Sequence, residues 1–221
     1  MVVMVLGSAM MIVASFRSSP EALQERVTPL RKGYRAVFAT PGFIIVLSIC
    51  ILVQGAHAAY YNYGFIYLQE LNVSSVYIGF ILNIAVLSEI VFFAFADRLL
   101  KNTPVSTMFI IATVASVIRW VVIGLFPSLW IFALSQVFHS LTFGLAHYAF
   151  IRFLYRSVDR PLIPTAQGVY ASLGMGLSAA VLTQIGGYLY EVSSGYAFIG
   201  MGVAVIPAIF LSLWMYFRRI A

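Results

Sequence analysis

Apolar residues fill this chain in long blocks, and polar residues gather in the short stretches between them. A spanning helix needs about 20 mostly apolar residues, and six blocks meet that length: one opening at Thr40-Pro41 and running to about Gln69, then Ser75 to Ala96, Val105 to Phe126, Leu129 to Leu154, Pro164 to Tyr190 and Tyr196 to Phe217. Thr40 followed by Pro41 reads as an N-cap and first helical turn. A seventh stretch, residues 1–16, would span only about 24 Å at the helical rise. That is short of the roughly 30 Å hydrocarbon core, so it reads as a truncated transmembrane helix lacking its beginning. A signal peptide would carry its positive charge ahead of the apolar run, whereas Arg17 follows it. Residues 17–40 are polar, broken by Pro20 and Pro29, and form the longest connection, a central loop. Residues 41–221 make a six-helix unit. The pattern predicts an all-α, polytopic membrane helix bundle: six full transmembrane helices and the truncated one.

Composition sharpens this. Of 221 residues, 62% are hydrophobic and 9% charged, against about 25% charged in soluble domains, which excludes a water-soluble fold. The net charge of +6 does not indicate nucleic acid, because the basic residues are spread between apolar blocks. With successive connections assigned to opposite faces, Arg17 to Arg35, Arg98, Lys101, Arg152, Arg156, Arg160, Arg218 and Arg219 share one side. The opposite connections carry Glu70 and Glu191 and no Lys or Arg. The positive-inside rule makes the basic side, and with it the C-terminus, cytoplasmic. Cys50, the only cysteine, lies within an apolar block and reads as core packing.

Within the helices, Gly168, Ser172, Gly176 and Ala180 recur every four residues, a small-residue ladder that allows close helix packing. The last span is apolar nearly all round, with Pro207 as an expected kink, so it is expected at the lipid-facing periphery. Tyr67 and Tyr190 read as interfacial belt residues.

The chemistry sits in the few polar residues placed against the apolar rule. Arg119 lies well inside its span, where insertion costs about 2.5 to 3.5 kcal/mol, and Glu89 in the preceding span is its opposite charge. Two readings stay open: a structural ion pair locking two helices, or groups lining a pathway. Low-dielectric burial disfavours a charged carboxylate, which makes Glu89 the candidate proton-coupling residue. At 100° per residue, Gln136, His139, Ser140, Phe143 and His147 share one arc of their helix, and Gln54, His57, Tyr61 and Gly64 share another. The expected substrate-binding set is Arg119, His139, His57, Tyr61, Gln54, Gln136, Phe143 and His147. No zinc signature, paired cysteines, phosphate loop or nucleophile elbow is present, so the reading is a non-enzyme without cofactor or metal.

Six spans after a long basic connection, preceded by a truncated span, resemble the C-terminal half of a major facilitator superfamily protein. Within that superfamily the chain resembles the 3-phenylpropionate transporter group, related to lactose permease-type proton symporters. The carriers are His57-Ala58-Ala59-Tyr60-Tyr61, Glu89 with Asp97-Arg98, Arg119-Trp120, His139 with Thr142-Phe143, and Gln167-Gly168-Val169-Tyr170. The resemblance implies a half-bundle from a proton symporter of a small organic solute, an aromatic monocarboxylate such as 3-phenylpropionate. It implies that Glu89, Arg119 and His139 occupy the places used for binding and coupling, with Thr142 where a second glutamate stands. Asp97 and Arg98 resemble the conformational loop motif, with Phe93 where its glycine falls. For an anion, Arg119 would face the carboxylate, His139 and His57 would hydrogen-bond, and Tyr61 and Phe143 would form an aromatic wall. The expected setting is the inner (plasma) membrane. The expected partners are substrate, protons, lipid, and a missing N-terminal half or a second copy.

Alternatives are a sugar or nucleoside symporter of the same superfamily, and, in other classes, a receptor or structural membrane subunit. A retinal protein is excluded, since no lysine lies between Tyr196 and Phe217 to form its Schiff base.

Overall fold

The computed structural model describes residues 30–220, and the segment expected to be a truncated helix, residues 1–16, lies outside them together with residues 17–29. A short helix, α1 (Leu30–Ala39), precedes six helices long and apolar enough to span a membrane: α2 (Phe43–Glu70), α3 (Ser75–Leu99), α4 (Val105–Leu125), α5 (Leu129–Ser157), α6 (Arg160–Val192) and α7 (Ser194–Phe217). No strand occurs among the described residues, as expected where every backbone polar group must be satisfied within its own segment. Residues 30–39, expected in the central loop, are therefore helical.

The connections are short, so consecutive spans run antiparallel, and contacts at both ends of the bundle bear this out. At one end Ile220, just past α7, lies against Gly42 at the start of α2. At the other, Tyr190 near the end of α6 donates to Glu70 at the end of α2, at 2.8 Å. Among the described residues, the basic flanks of α2 through α7 thus share one face of the bundle, and Glu70 and Glu191 lie at the other.

Thr40 does not cap α2. Its hydroxyl donates back to Ala36 O at 3.2 Å, closing α1, and α2 begins at Phe43 after Gly42, whose φ is 82°. A side chain there would meet Ile220 and Phe153 as well as the left-handed backbone penalty. At its far end α2 stops with Asn72 at φ 59°, Val73 N–H bonding Leu68 O and Asn72 N–H bonding Gln69 O, the Schellman arrangement that satisfies terminal carbonyls.

Two expectations about packing are corrected. The last span is not peripheral all round: Ala197, Phe198, Met201, Val205, Ala208, Ser212 and Met215 form a buried stripe, packed chiefly on α4. Gly124 and Gly195 meet there backbone to backbone, and α7 continues unbroken through Pro207. Conversely, Gly168, Ser172, Gly176 and Ala180 are all exposed. A Cβ on Gly168 would have no neighbour within 4 Å, so among the described residues the small-residue ladder packs nothing. Tyr67 is not an interfacial belt residue either, being 1% exposed with its hydroxyl donating to Ile123 O at 3.0 Å. Cys50 is fully buried in the core, as expected.

The parallel helices α3 and α5 are joined by polar rungs along much of their length. Ser88 donates to Gln136 O, Glu89 meets His139, Tyr148 donates to Asp97 at 2.7 Å, and Arg152 donates to the carbonyls of Leu100 and Lys101. Asp97 and Arg98 therefore lie inside the last turn of α3 and not in a loop. Arg152 supplies donors for the carbonyls just past the helix end, that of Leu100 also accepting from Thr103 N–H.

Candidate functional site

Arg119 falls on the buried face of α4 with Ala112, Ser116 and Ile123, the i, i+4, i+7, i+11 spacing of a packed stripe. Only 3% of it is exposed, so the side chain turns into the protein and not into the lipid. Its guanidinium carbon lies 4.4 Å from the centre of the Trp120 ring and 5.4 Å from that of Tyr60. Such contacts with a desolvated cation contribute about 2 kcal/mol, offsetting much of the insertion cost.

Arg119 and Glu89 do not pair directly. Nη1 of Arg119 donates to Nδ1 of His139 at 3.0 Å and to Oγ1 of Thr142 at 2.9 Å. His139 turns its other nitrogen, Nε2, to Oε1 of Glu89 at 3.1 Å. That approach is off the line of a hydrogen bond. Because a guanidinium has no acceptor, Nδ1 must accept, and the proton of a neutral His139 sits on Nε2, facing the carboxylate.

The second branch is ordered in the same way. Nδ1 of His57 lies 2.9 Å from Val53 O, which can only accept, so Nδ1 carries the proton. Nε2 of His57 then accepts from Thr142, 3.1 Å away. A directed chain results, from Arg119 through Thr142 and His57 to the backbone. His57 occupies the turn, Ala56 and His57, that interrupts α2, which frees the ring to enter the cluster.

Local helix geometry builds the rest. Residues Ser140–Gly144 of α5 form a wide π-turn, the kind of bulge found at functional sites. It sets residue i+4 almost above residue i: Phe143 stacks on His139 at 5.3 Å and 7°, and His147 continues the stack at 6.4 Å and 6°. A second π segment, Tyr170–Leu177 in α6, begins at Tyr170, whose hydroxyl lies 3.0 Å from both Gln54 Nε2 and His147 Nδ1. Tyr61 is 56% exposed, with its ring 6.2 Å from His57 and 6.3 Å from His139. It marks the open side of the site, where the Glu89 side chain is 22% exposed.

The structure thus gathers Arg119, Glu89, His139, His57, Phe143 and Tyr61, with Gln54 and His147 one turn nearer the basic face. Gln136 does not join by hydrogen bonding: its amide donates to Phe132 O in its own helix and to Ser135. Ser140 likewise bonds back to Val137 O. The sequence marked Thr142, Tyr60, Trp120 and Tyr170 only through the resemblance, and not the contacts they make with Arg119, His57, Gln54 and His147. Each is a residue type common in any membrane helix, and nothing in its local spacing reveals partners on other helices. No group of acidic, histidine or cysteine side chains suited to a metal occurs among the described residues.

Six spanning helices arranged in this way, with a charged cluster held in their interior, define a polytopic membrane protein with half of a major facilitator fold. The model of the MFS_1 like family matches residues 1–199, and the chain belongs to that family. It is 32% identical over 165 residues to a probable 3-phenylpropionic acid transporter of Escherichia coli (strain K12), covering 75% of this chain and 43% of that one. Similarity to the uncharacterized transporter YwbF of Bacillus subtilis (strain 168) is 26% over 217 residues, 97% of this chain and 54% of the other. A maltose permease of Geobacillus stearothermophilus is 29% identical over 161 residues, 73% and 41% of the two chains. The chain spans about half the length of these relatives. The crystal structure of the nucleoside transporter NupG shares the fold, with a TM-score of 0.73 at 16% identity over 95% of this chain and 58% of that one.

Proposed function

We propose that this chain forms the proton-linked, anion-holding half of a secondary transporter for a small organic acid, of which an aromatic monocarboxylate is the leading case. The observation that carries the reading is Arg119. Nη1 is spent on His139 and Thr142, while Nε and Nη2 are buried and have no partner among the described residues. In a low-dielectric interior, unspent guanidinium donors suit a carboxylate, which they bind in forked geometry.

Charge balance then supplies the coupling. With no substrate, ionised Glu89 offsets Arg119 through His139. A substrate carboxylate at Arg119 makes that charge redundant, so its binding favours a proton on Glu89, and the anion and the proton travel together. Tyr61 and Phe143 supply the aromatic wall, and His139 and His57 hold the guanidinium in register. The relative named as a 3-phenylpropionic acid transporter supports this substrate class.

The sorting of Lys and Arg supports an inner-membrane setting with the basic face and C-terminus cytoplasmic. Sites of this type lie between two related halves, and the exposed Tyr61 side is where a second wall, from an N-terminal half or a second copy, would close the cavity. The test is uptake of radiolabelled 3-phenylpropionate into proteoliposomes with an imposed proton gradient. Arg119→Ala abolishes uptake while inserting normally, and undiminished uptake by that variant removes the assignment.

A further inference from the structure

Where α4 begins and α7 ends, the basic face carries a cavity of about 440 Å³ lined by Pro104, Ser106, Tyr216, Phe217 and Arg219. Pro104 stands at the N-cap of α4, and a proline has no side-chain oxygen to accept from the first turn. The N–H groups of Val105, Ser106 and Thr107 therefore have no backbone or capping partner among the described residues, and they give this helix end its partial positive charge. Ser106 supplies a donor of another kind. It is 4% exposed and lines the cavity, and its hydroxyl has no hydrogen-bond partner among the described residues. Ser178 and Ser212, buried within helices, bond back to the carbonyl four residues earlier. Ser106 lies in the first turn and has no helical turn behind it to bond. Buried hydroxyls are ordinarily satisfied, so this one is left for a group that enters the cavity.

Arg219 brings the charge from the other helix. α7 closes in a Schellman turn, with Arg219 N–H bonding Tyr216 O and Ile220 N–H bonding Met215 O, each at 3.1 Å, and Arg219 itself at φ 53°. Ile220 is seated against Gly42, so the chain past the helix is anchored and Arg219 is kept beside the cavity. No acidic side chain is among the lining residues. A guanidinium, an uncapped helix N-terminus and a buried hydroxyl around one space are the donor set of a phosphate group. Val105 and Phe217 are span ends on the basic face, at the level where headgroups meet hydrocarbon, and basic pockets between spanning helices take phospholipid headgroups there. We infer that this cavity is a phosphate site joining the start of α4 to the end of α7, with a phospholipid as the source its depth favours over phosphate free in solution. The inference does not depend on the reading of Arg119.

The test is native mass spectrometry of the purified chain with phosphatidylglycerol, with diacylglycerol of the same acyl chains, and with inorganic phosphate as competitor. Phosphatidylglycerol is retained about tenfold more than diacylglycerol, the ratio expected for one hydrogen bond to a charged group. Ser106→Ala lowers that ratio severalfold, and Arg219→Gly brings it close to unity. Glycine takes the left-handed turn without penalty, so the loss in Arg219→Gly is not a loss of fold. Arg218→Ala removes an equal charge from a residue that does not line the cavity and leaves the ratio unchanged. Competition separates the sources: lipid that millimolar inorganic phosphate leaves in place assigns the site to a headgroup, and lipid that it displaces assigns the site to soluble phosphate. A ratio close to unity in the unaltered chain overturns the inference. So does a ratio that Arg219→Gly and Ser106→Ala leave unchanged, or one that Arg218→Ala lowers as much as Arg219→Gly does.

Discussion

Nη1 of Arg119 stands 3.0 Å from Nδ1 of His139, and because the guanidinium can only donate, the imidazole is held as the tautomer that presents its proton to Glu89. A doubly protonated His139 would oppose N–H to N–H, so that ring gains a second proton only when Arg119 lets go. This predicts that His139→Gln, which offers an acceptor to Arg119 and a donor to Glu89, retains measurable uptake, whereas His139→Leu eliminates it. Proteoliposome uptake of 3-phenylpropionate by the two variants checks this, and equal activity would refute the tautomer argument.

Thr142 both accepts from Arg119 and donates to His57. Thr142→Val keeps its shape and removes both bonds, leaving buried polar atoms unpaired at a cost of about 1 to 3 kcal/mol. Thermal unfolding in detergent should show a lowered midpoint, and Thr142→Ser should recover most of it.

Gly124 and Gly195 approach so closely that a Cβ on either would collide with the other's carbonyl oxygen. Gly195→Ala is expected to destabilise by about 1 to 3 kcal/mol as α4 and α7 are forced apart. Gly168→Ala, where a Cβ meets nothing within 4 Å, is expected to be neutral or to stabilise by up to about 1 kcal/mol through helix propensity. Parallel unfolding curves for the two variants decide it.

Arg152 caps the end of α3 through the carbonyls of Leu100 and Lys101. Arg152→Ala should speed amide hydrogen exchange in the last turn of α3 and leave the centre of α4 unaffected, with Arg152→Lys intermediate, since a lysine can reach only one carbonyl at a time.

Tyr67→Phe and Tyr190→Phe make a paired comparison. The Tyr67 hydroxyl is buried against Ile123 O, so its loss is expected to cost about 1 kcal/mol or more. The Tyr190 bond to Glu70 is exposed and should change stability by less than about 0.5 kcal/mol. Unfolding midpoints measured side by side provide the check.

The spans were legible in the sequence because hydrocarbon leaves the backbone no choice but to satisfy itself, so length and apolarity are sufficient evidence. The basic face was legible for a similar reason, since Lys and Arg are excluded from hydrocarbon and collect where the spans meet water. Arg119, Glu89 and the histidines stood out because they are costly in lipid. What joins them did not: Thr142 is an ordinary threonine until α2 and α4 are laid against it. The two π segments leave no signature in a 100° count, and that count also groups Gln136 and Ser140 with His139 although their side-chain hydrogen bonds stay within α5. The small-residue ladder on α6 was seen in the sequence, but spacing alone does not tell which way such a stripe faces.

The rungs from Ser88 and Glu89 to Arg152 make α3 and α5 behave as a single plank, fastened both mid-height and at the foot. Prising these two helices apart would sever several contacts at once, so under the proposed transport reading a change of shape is expected to flex at the turn at His57 and the two wide turns in α5 and α6.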